Sequence, residues 1–151
     1  MILYDKNGRI VAVSDPPETR IFDAMDLRSA HLAGMELEGI SLEQSDLRGA
    51  DCRGADLYGA NLCDAKCEGC DLQKADLRFS FLFRADFRNA NLRGANLGCN
   101  NLGGSLSLNA VNFRGADLEG ADLTGATYDS ETIFPDGFDP VARGLRLSLR
   151  L

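Results

Sequence analysis

The chain has 151 residues, 44% of them hydrophobic and 26% charged, with 16 Gly and no Trp. Its 16 Lys and Arg against 23 Asp and Glu leave a net charge of −7, which excludes a basic surface that displaces counterions from a phosphate backbone. The length suits one domain, and no apolar run approaches the ~18 residues of a membrane-spanning helix.

Taken in chain order, residues 1–24 come first. Ile2–Val13 reads as two short strands around Lys6-Asn7-Gly8, because Asn-Gly between apolar runs is a hairpin signal. This hairpin is expected to cap the region from residue 25 onward, joined to it through Asp15-Pro16-Pro17. Charges at Asp5, Lys6 and Arg9 break the apolar stretch, so no export signal is expected. Five Cys, an odd number without paired spacings, fit reduced thiols in a cytoplasmic protein.

Residues 25–130 carry a repeat of five. Its centres run from Leu27 through Leu37, Leu57, Leu77, Phe87 and Leu97 to Leu102 in one phase. After a slip of one residue near Gly103-Gly104-Ser105 they resume at Leu108, Phe113, Leu118, Leu123 and Tyr128. A small residue, often Ala, stands two places before each centre, Asp or Asn one before, and Gly often two after. A helix would rotate successive centres by about 140°, and a straight strand would alternate them in and out. The pattern works only if the chain turns a corner once per repeat, with the centre and the small residue both facing inward. Gly after the centre supplies the positive φ of such a corner. Right-angle corners give four repeats per coil, so residues twenty apart stack. The expected columns include Leu37, Leu57, Leu77, Leu97 and Leu118 on one face, and Leu32, Cys52, Leu72, Leu92 and Phe113 on another. Leu42, Leu62, Leu82, Leu102 and Leu123 form a further column, and Phe87 is expected to be followed by Leu108. The slip should appear as a bulge or kink at one corner.

Residues 131–151 complete the chain. Asp139-Pro140 through Gly144 has the start and stop signals of a short helix, and Leu145–Leu151 alternates as a strand. That strand either completes a C-terminal cap or pairs with a second chain.

The stretches SDLRGADCRGADLYGANL and VNFRGADLEGADLTGA resemble the pentapeptide-repeat family, whose motif is A-(D/N)-L-x-x. The resemblance implies an all-β fold, a right-handed quadrilateral β-helix of about five coils with terminal caps. It also implies two kinds of function. Most members resemble protein-interaction or scaffold modules; a minority, of the fluoroquinolone-resistance type, look like B-form DNA and bind DNA gyrase.

No cofactor, metal or catalytic residue is expected. Cys63, Cys67 and Cys70 are closely spaced, but Cys67 and Cys70 fall in lumen positions while Cys63 faces out, so four ligands cannot converge. The single His31 faces solvent with no nucleophile beside it. The Asp residues fall in columns beside Arg, as in Asp46/Arg48, Asp51/Arg53 and Asp76/Arg78. The densest acidic patch is small, formed by Glu36, Glu38, Glu43, Asp56 and Asp64, which ranks the DNA-mimic function second.

One departure stands out. In Arg78-Phe79-Ser80-Phe81-Leu82-Phe83-Arg84, the inward slots go to Ser80 and Leu82. Phe79, Phe81 and Phe83 must then point outward, with Tyr58 one coil below and Gly98 and Gly103 above. These rings either lie over the glycines as local packing, or form an apolar contact for a protein partner or a homodimer, rimmed by Arg78 and Arg84.

Overall fold

The computed structural model describes residues 1–5, 7–13, 19–98 and 106–148. Among them the chain winds as a stack of coils joined by parallel bridges twenty residues apart, from Ile21–Ser41 to Asn61–Phe81 and Asp76–Asn96. Each side has one job per residue. The residue before the centre bonds the coil below through both its backbone groups, as Asp46 N–H donates to Met25 O at 2.9 Å and Asp46 O accepts from Leu27 N–H at 2.8 Å. The centre is buried, the next residue is exposed or half-buried, and the one after turns the corner. Where that corner residue is not Gly it still has positive φ, as at Lys74 and Phe79 (both 58°). No helix occurs among the described residues, so the architecture is a β-helix solenoid.

The lumen is dry and continuous. Leu37, Leu57, Leu77, Leu97, Leu118, Phe87 and Phe113 are all buried in one core. Most small slots hold Ala, and those of Ile40, Leu106 and Val111 are filled by larger buried residues; Cys70, Ser45 and Ser80, in others, donate to the backbone carbonyls of Leu47, Phe22 and Leu77 at 2.6–2.7 Å. Buried donors are thereby satisfied without a partner side chain.

The slip near residue 103 is larger than a one-residue bulge. Beyond it, bridges join Asp86 to Asn112, Asn91 to Asp117 and Asn96 to Asp122, each 26 residues apart. Phe87 therefore stacks on Phe113, ring centroids 5.6 Å apart, and not on Leu108. Leu97 is followed by Leu123 and not by Leu118, since its N–H donates to Asp122 O at 2.7 Å. A repeat of five fixes the phase only to within multiples of five, so an insertion of six leaves the same trace in the sequence as an insertion of one. On the Leu82 side Arg84 N–H donates to Asn109 O at 3.3 Å; Leu102, expected above Leu82, and the Gly103–Ser105 slip lie outside the described residues.

Both ends extend past the expected boundaries. Phe22 is a further lumen centre below Leu42: its N–H donates to Ser41 O at 2.8 Å, and Arg20 O accepts from Ser41 N–H at 2.7 Å. Arg20 in the small slot hides this repeat from a motif count. At the other end Ile133 bridges Asn112, and Phe134 stacks on Phe113 at 6.0 Å.

The N-terminal hairpin pairs β1 (Ile2–Tyr4) antiparallel with β2 (Ile10–Val13). Asp5 shapes the turn, accepting on Oδ1 from the backbone of Asn7 and Arg9 at 2.8 and 2.9 Å. Leu3 is buried in the core, and Tyr4 O accepts from His31 N–H at 2.7 Å, which docks the hairpin on the first coil. Lys6 and the Asp15-Pro16-Pro17 linker lie outside the described residues.

At the C-terminus the expected short helix is replaced by tight turns. Asp139 Oδ1 caps Val141 and Ala142, but the chain stops at Gly144 (φ 81°), one turn being too short to sustain a helix. Leu145 is buried, and β4 (Arg146–Leu147) pairs parallel with β3 (Thr127–Tyr128) of its own chain. Leu147 is 55% exposed, contrary to a strict in-and-out alternation, because no further coil covers it. Phe134 and Phe138 stack at 4.9 Å, and the Arg143 guanidinium lies 5.5 Å above the Phe138 ring, closing this end.

Candidate functional site

On a regular side the Asp before the centre curls its carboxylate onto the N–H two residues on, and binds the Arg there through two nitrogens. Asp46 holds Arg48 this way, with Nε and NH2 contacts of 2.8 and 2.6 Å, and Asp51 and Asp76 hold Arg53 and Arg78 alike. The Arg28 guanidinium holds the Asp26 carboxyl down at about 2, and Arg53 does the same for Asp51. Such exposed pairs add little stability singly, but they neutralise the acidic columns at short range.

The side from Phe81 to Arg84 has none of this. Phe81 stands in the Asp position, so no carboxylate is available to turn back or to hold an Arg. Its backbone still pairs with the coil below, donating to Ala60 O at 2.8 Å and accepting from Leu62 N–H. Period two then throws its ring outward, where it is 62% exposed, with Phe83 45% exposed. Phe79 occupies the preceding corner, where φ of 58° is costly for a bulky side chain. Its ring rests against Tyr58 at 5.2 Å, and the Arg78 guanidinium sits 5.7 Å over Tyr58 while still bound to Asp76. Arg84 closes the far corner and pairs with Asp64 at 3.0 Å.

Phe79, Phe81 and Phe83 together with Cys63, Ser80, Leu82 and Ser107 line a groove of about 280 Å³. Tyr58 and Arg78 back it from the coil below, and Arg84 marks its rim. Gly98 sits against the Asp122 carboxylate, and Gly103 lies outside the described residues. Sequence reasoning missed Cys63 and Ser107. Cys63 is twenty residues before Phe83 and could have been found by column; Ser107 could not, since its column depends on the true length of the insertion.

Burial pushes the Cys52 thiol well up, and a hydrogen bond with Cys70, then burial, does so for Cys67. Thiols of that kind are poor nucleophiles. His31 Nδ1 lies 3.3 Å from Asp51 on the surface with no hydroxyl or thiol in the pair. Among the described residues no cluster of His, Cys, Asp and Glu converges as metal ligands would, and no helix is long and apolar enough to cross a membrane.

A stack of five-residue sides with a dry lumen defines a repeat solenoid, and its Phe81–Arg84 side is apolar where other described sides carry a charged pair. The family model for pentapeptide repeats matches eight copies over residues 26–63, 61–98 and 107–127, and the chain belongs to that family. Its matches stop at residue 98 and resume at 107, on either side of the insertion. Among solved structures it is similar to HetL, a pentapeptide repeat protein involved in heterocyst differentiation regulation from Nostoc sp. strain PCC 7120. The two are 34% identical, with a TM-score of 0.68 over 74% of this chain and 48% of that one. The chain thus spans about half the length of HetL. It is also 35% identical to alr5209 of Nostoc PCC 7120, covering 86% of each chain with a TM-score of 0.32. QnrB1, a plasmid-mediated fluoroquinolone resistance protein, is 21% identical over 85% of this chain and 62% of that one, with a TM-score of 0.42. Among curated proteins, none matches the chain.

Proposed function

We propose that the chain is a non-enzymatic, cytoplasmic interaction or scaffold module that contacts a protein partner through its aromatic side. The tube is taken to be a right-handed quadrilateral coil of about five turns, the hand that parallel strand connections adopt in roughly 98% of cases. One observation carries the functional reading: Phe81 and Phe83 are exposed on the side where the regular pattern puts a charged pair. Large apolar side chains left in water cost free energy that a partner recovers by covering them. HetL is involved in heterocyst differentiation regulation, a role that a module without catalytic groups can fill.

The test is a triple Phe79/Phe81/Phe83→Ser variant compared with the parent by chemical crosslinking and by mass measurement in solution. The parent captures one defined partner, or a second copy, and the variant loses it while melting as a folded protein. Capture unchanged in the variant overturns the reading. The DNA-mimic alternative needs dense, unpaired carboxylates on one surface, whereas Asp26, Asp46, Asp51, Asp76 and Asp86 are each bound to an Arg two residues on. A gyrase supercoiling assay should show no inhibition; inhibition at low protein concentration would promote the mimic.

A further inference from the structure

The aromatic groove has an acidic foot. Two sides of the tube meet at the corner that Phe79 occupies, and on both of them carboxylates stand below the groove. On the Phe81 side, Cys63 lies under Phe83, Glu43 under Cys63 and Asp23 under Glu43, in line with the rungs from Asp64 N–H to Phe83 O, Gln44 N–H to Cys63 O and Ala24 N–H to Glu43 O. On the neighbouring side, Glu38 lies under Tyr58, with Gly39 N–H donating to Tyr58 O at 2.8 Å, and Glu36 bridges Asp56. The corner between the two sides is Gly39 and then Gly59, with open space around both. A smooth edge thus runs between two acidic walls up to the Phe79 ring.

These carboxylates differ from those of the regular sides. Asp23 accepts from the Ser41 hydroxyl at 2.5 Å and the Glu43 N–H at 3.0 Å, Glu43 from the Asn61 amide at 3.0 Å, and Asp56 from the Tyr58 N–H at 3.0 Å. All of these donors are neutral. Among the described residues neither these three nor Glu36 and Glu38 form an ion pair. The cations nearby are engaged elsewhere: Arg20 with the Glu36 and Glu38 carbonyls, Arg78 with Asp76 and Arg84 with Asp64. Asn61 bridges Phe81, so the amide that holds Glu43 sits one rung beneath an exposed ring. Burial raises the Cys63 thiol in the groove wall, and the Glu43 and Asp64 charges add to it, so the acid is felt inside the groove. The patch spans two coils and stops at the rings. It is a foot beside an apolar anchor and not a charged column along the tube.

Apolar surface recovers free energy when it is covered, and unpaired carboxylates at its edge select the sign of what covers it. A second copy is a poor match, since it carries the same net −7 and its own cations on these two sides are already engaged. Resting on the interaction reading already proposed, we infer that the partner is a protein presenting an aromatic or aliphatic side chain flanked by Lys or Arg. The apolar side chain seats among Phe79, Phe81 and Phe83. The cation reaches one to two coils down, ~5–10 Å, to Glu43 on one wall or Asp56 on the other.

Fluorescence anisotropy tests this with the full chain and three fluorescein-labelled nine-residue peptides. One places Phe and Leu next to two Lys, one has the Lys changed to Glu, and one has Phe and Leu changed to Ser. The first should bind saturably below about 1 mM, and the other two at least tenfold more weakly. Glu43→Gln/Asp56→Asn should weaken the first peptide at least tenfold, and so should raising the salt from about 0.05 to about 0.5 M, because exposed charge is screened. This variant suits the fold: Gln keeps an acceptor for Asn61, and Asn already stands in the Asp56 position of other sides, at Asn61 and Asn91. Its thermal melt should superimpose on the parent's. Equal binding of the Glu peptide, or unchanged binding by Glu43→Gln/Asp56→Asn, overturns the basic partner; loss of that binding in Phe81→Ser/Phe83→Ser would still leave the aromatic contact standing. No binding of any peptide overturns the inference, and a concentration-dependent dimer lost in Phe81→Ser/Phe83→Ser then assigns the groove to a second copy. If the triple variant alters no capture at all, the broader reading falls as well.

Discussion

The side Asp46–Gly49 and the side Phe81–Arg84 share a backbone path and differ in almost everything that meets solvent. In the first, Asp46 and Arg48 bind one another and Gly49 turns the corner at φ 68°. In the second, rings replace the ion pair and Arg84 is held at φ 59°. Yet the interiors match, since Leu47 and Leu82 are equally buried. The fold is thus specified by the inward residues and the corner geometry, and the outer positions are free to carry function. The Phe81 side uses that freedom in its exposed rings.

That comparison can be broken most severely from inside. Leu77→Asp puts a charge in a fully buried slot. At roughly 3 kcal/mol or more, it removes much of a stability on the order of 5–15 kcal/mol. A far-ultraviolet thermal melt should lose its cooperative transition; one superimposable on the parent's would sink the dry lumen. Next comes a contrast of two rings. Phe87→Ala, inside and stacked on Phe113, should cost about 3–5 kcal/mol by urea denaturation, whereas Phe81→Ser outside should change stability by no more than about 0.5 kcal/mol. Comparable losses at the two sites would erase the distinction between interior and surface. A smaller effect has the opposite sign. Lys74→Gly relieves a positive φ of 58° at an exposed corner and should stabilise by about 1 kcal/mol, raising the melting temperature by a few degrees.

The smallest effect concerns the charged sides alone. Asp51, bound by Arg53, titrates near 2 in the folded chain against an ordinary 3.8. A folded value below the unfolded one means that its contribution is intact above about pH 4 and is lost as pH falls toward 2. Arg53→Gln should move the Asp51 carboxylate titration, followed by NMR, back toward the ordinary range; an unmoved titration would mean that Arg53 does not hold it.

The lumen was legible because burial imposes a period: a Leu, Phe or Cys at every fifth place has only one way to reach a common interior. The outward phenylalanines were legible for the same reason, since Ser80 and Leu82 claimed the inward slots. Arg20 concealed the first side by filling a small slot with a long residue, and Asp139-Pro140 carried the signals of a helix with too few residues to form one. The pairing of Asp86 with Asn112 was hidden for an arithmetical reason, because steps of one and six are equivalent in a repeat of five.

The 26-residue spacing from Asp86 to Asn112 has a mechanical corollary. A stack whose neighbours hold each other layer by layer fails first at its weakest seam, and among the described residues the seam above Phe79–Leu82 has no backbone rung between Leu77–Asn96 and Arg84–Asn109. Pulled from its two termini, the rod should part there, giving a lower block through Gly98 and an upper block from Leu106 as successive extension steps.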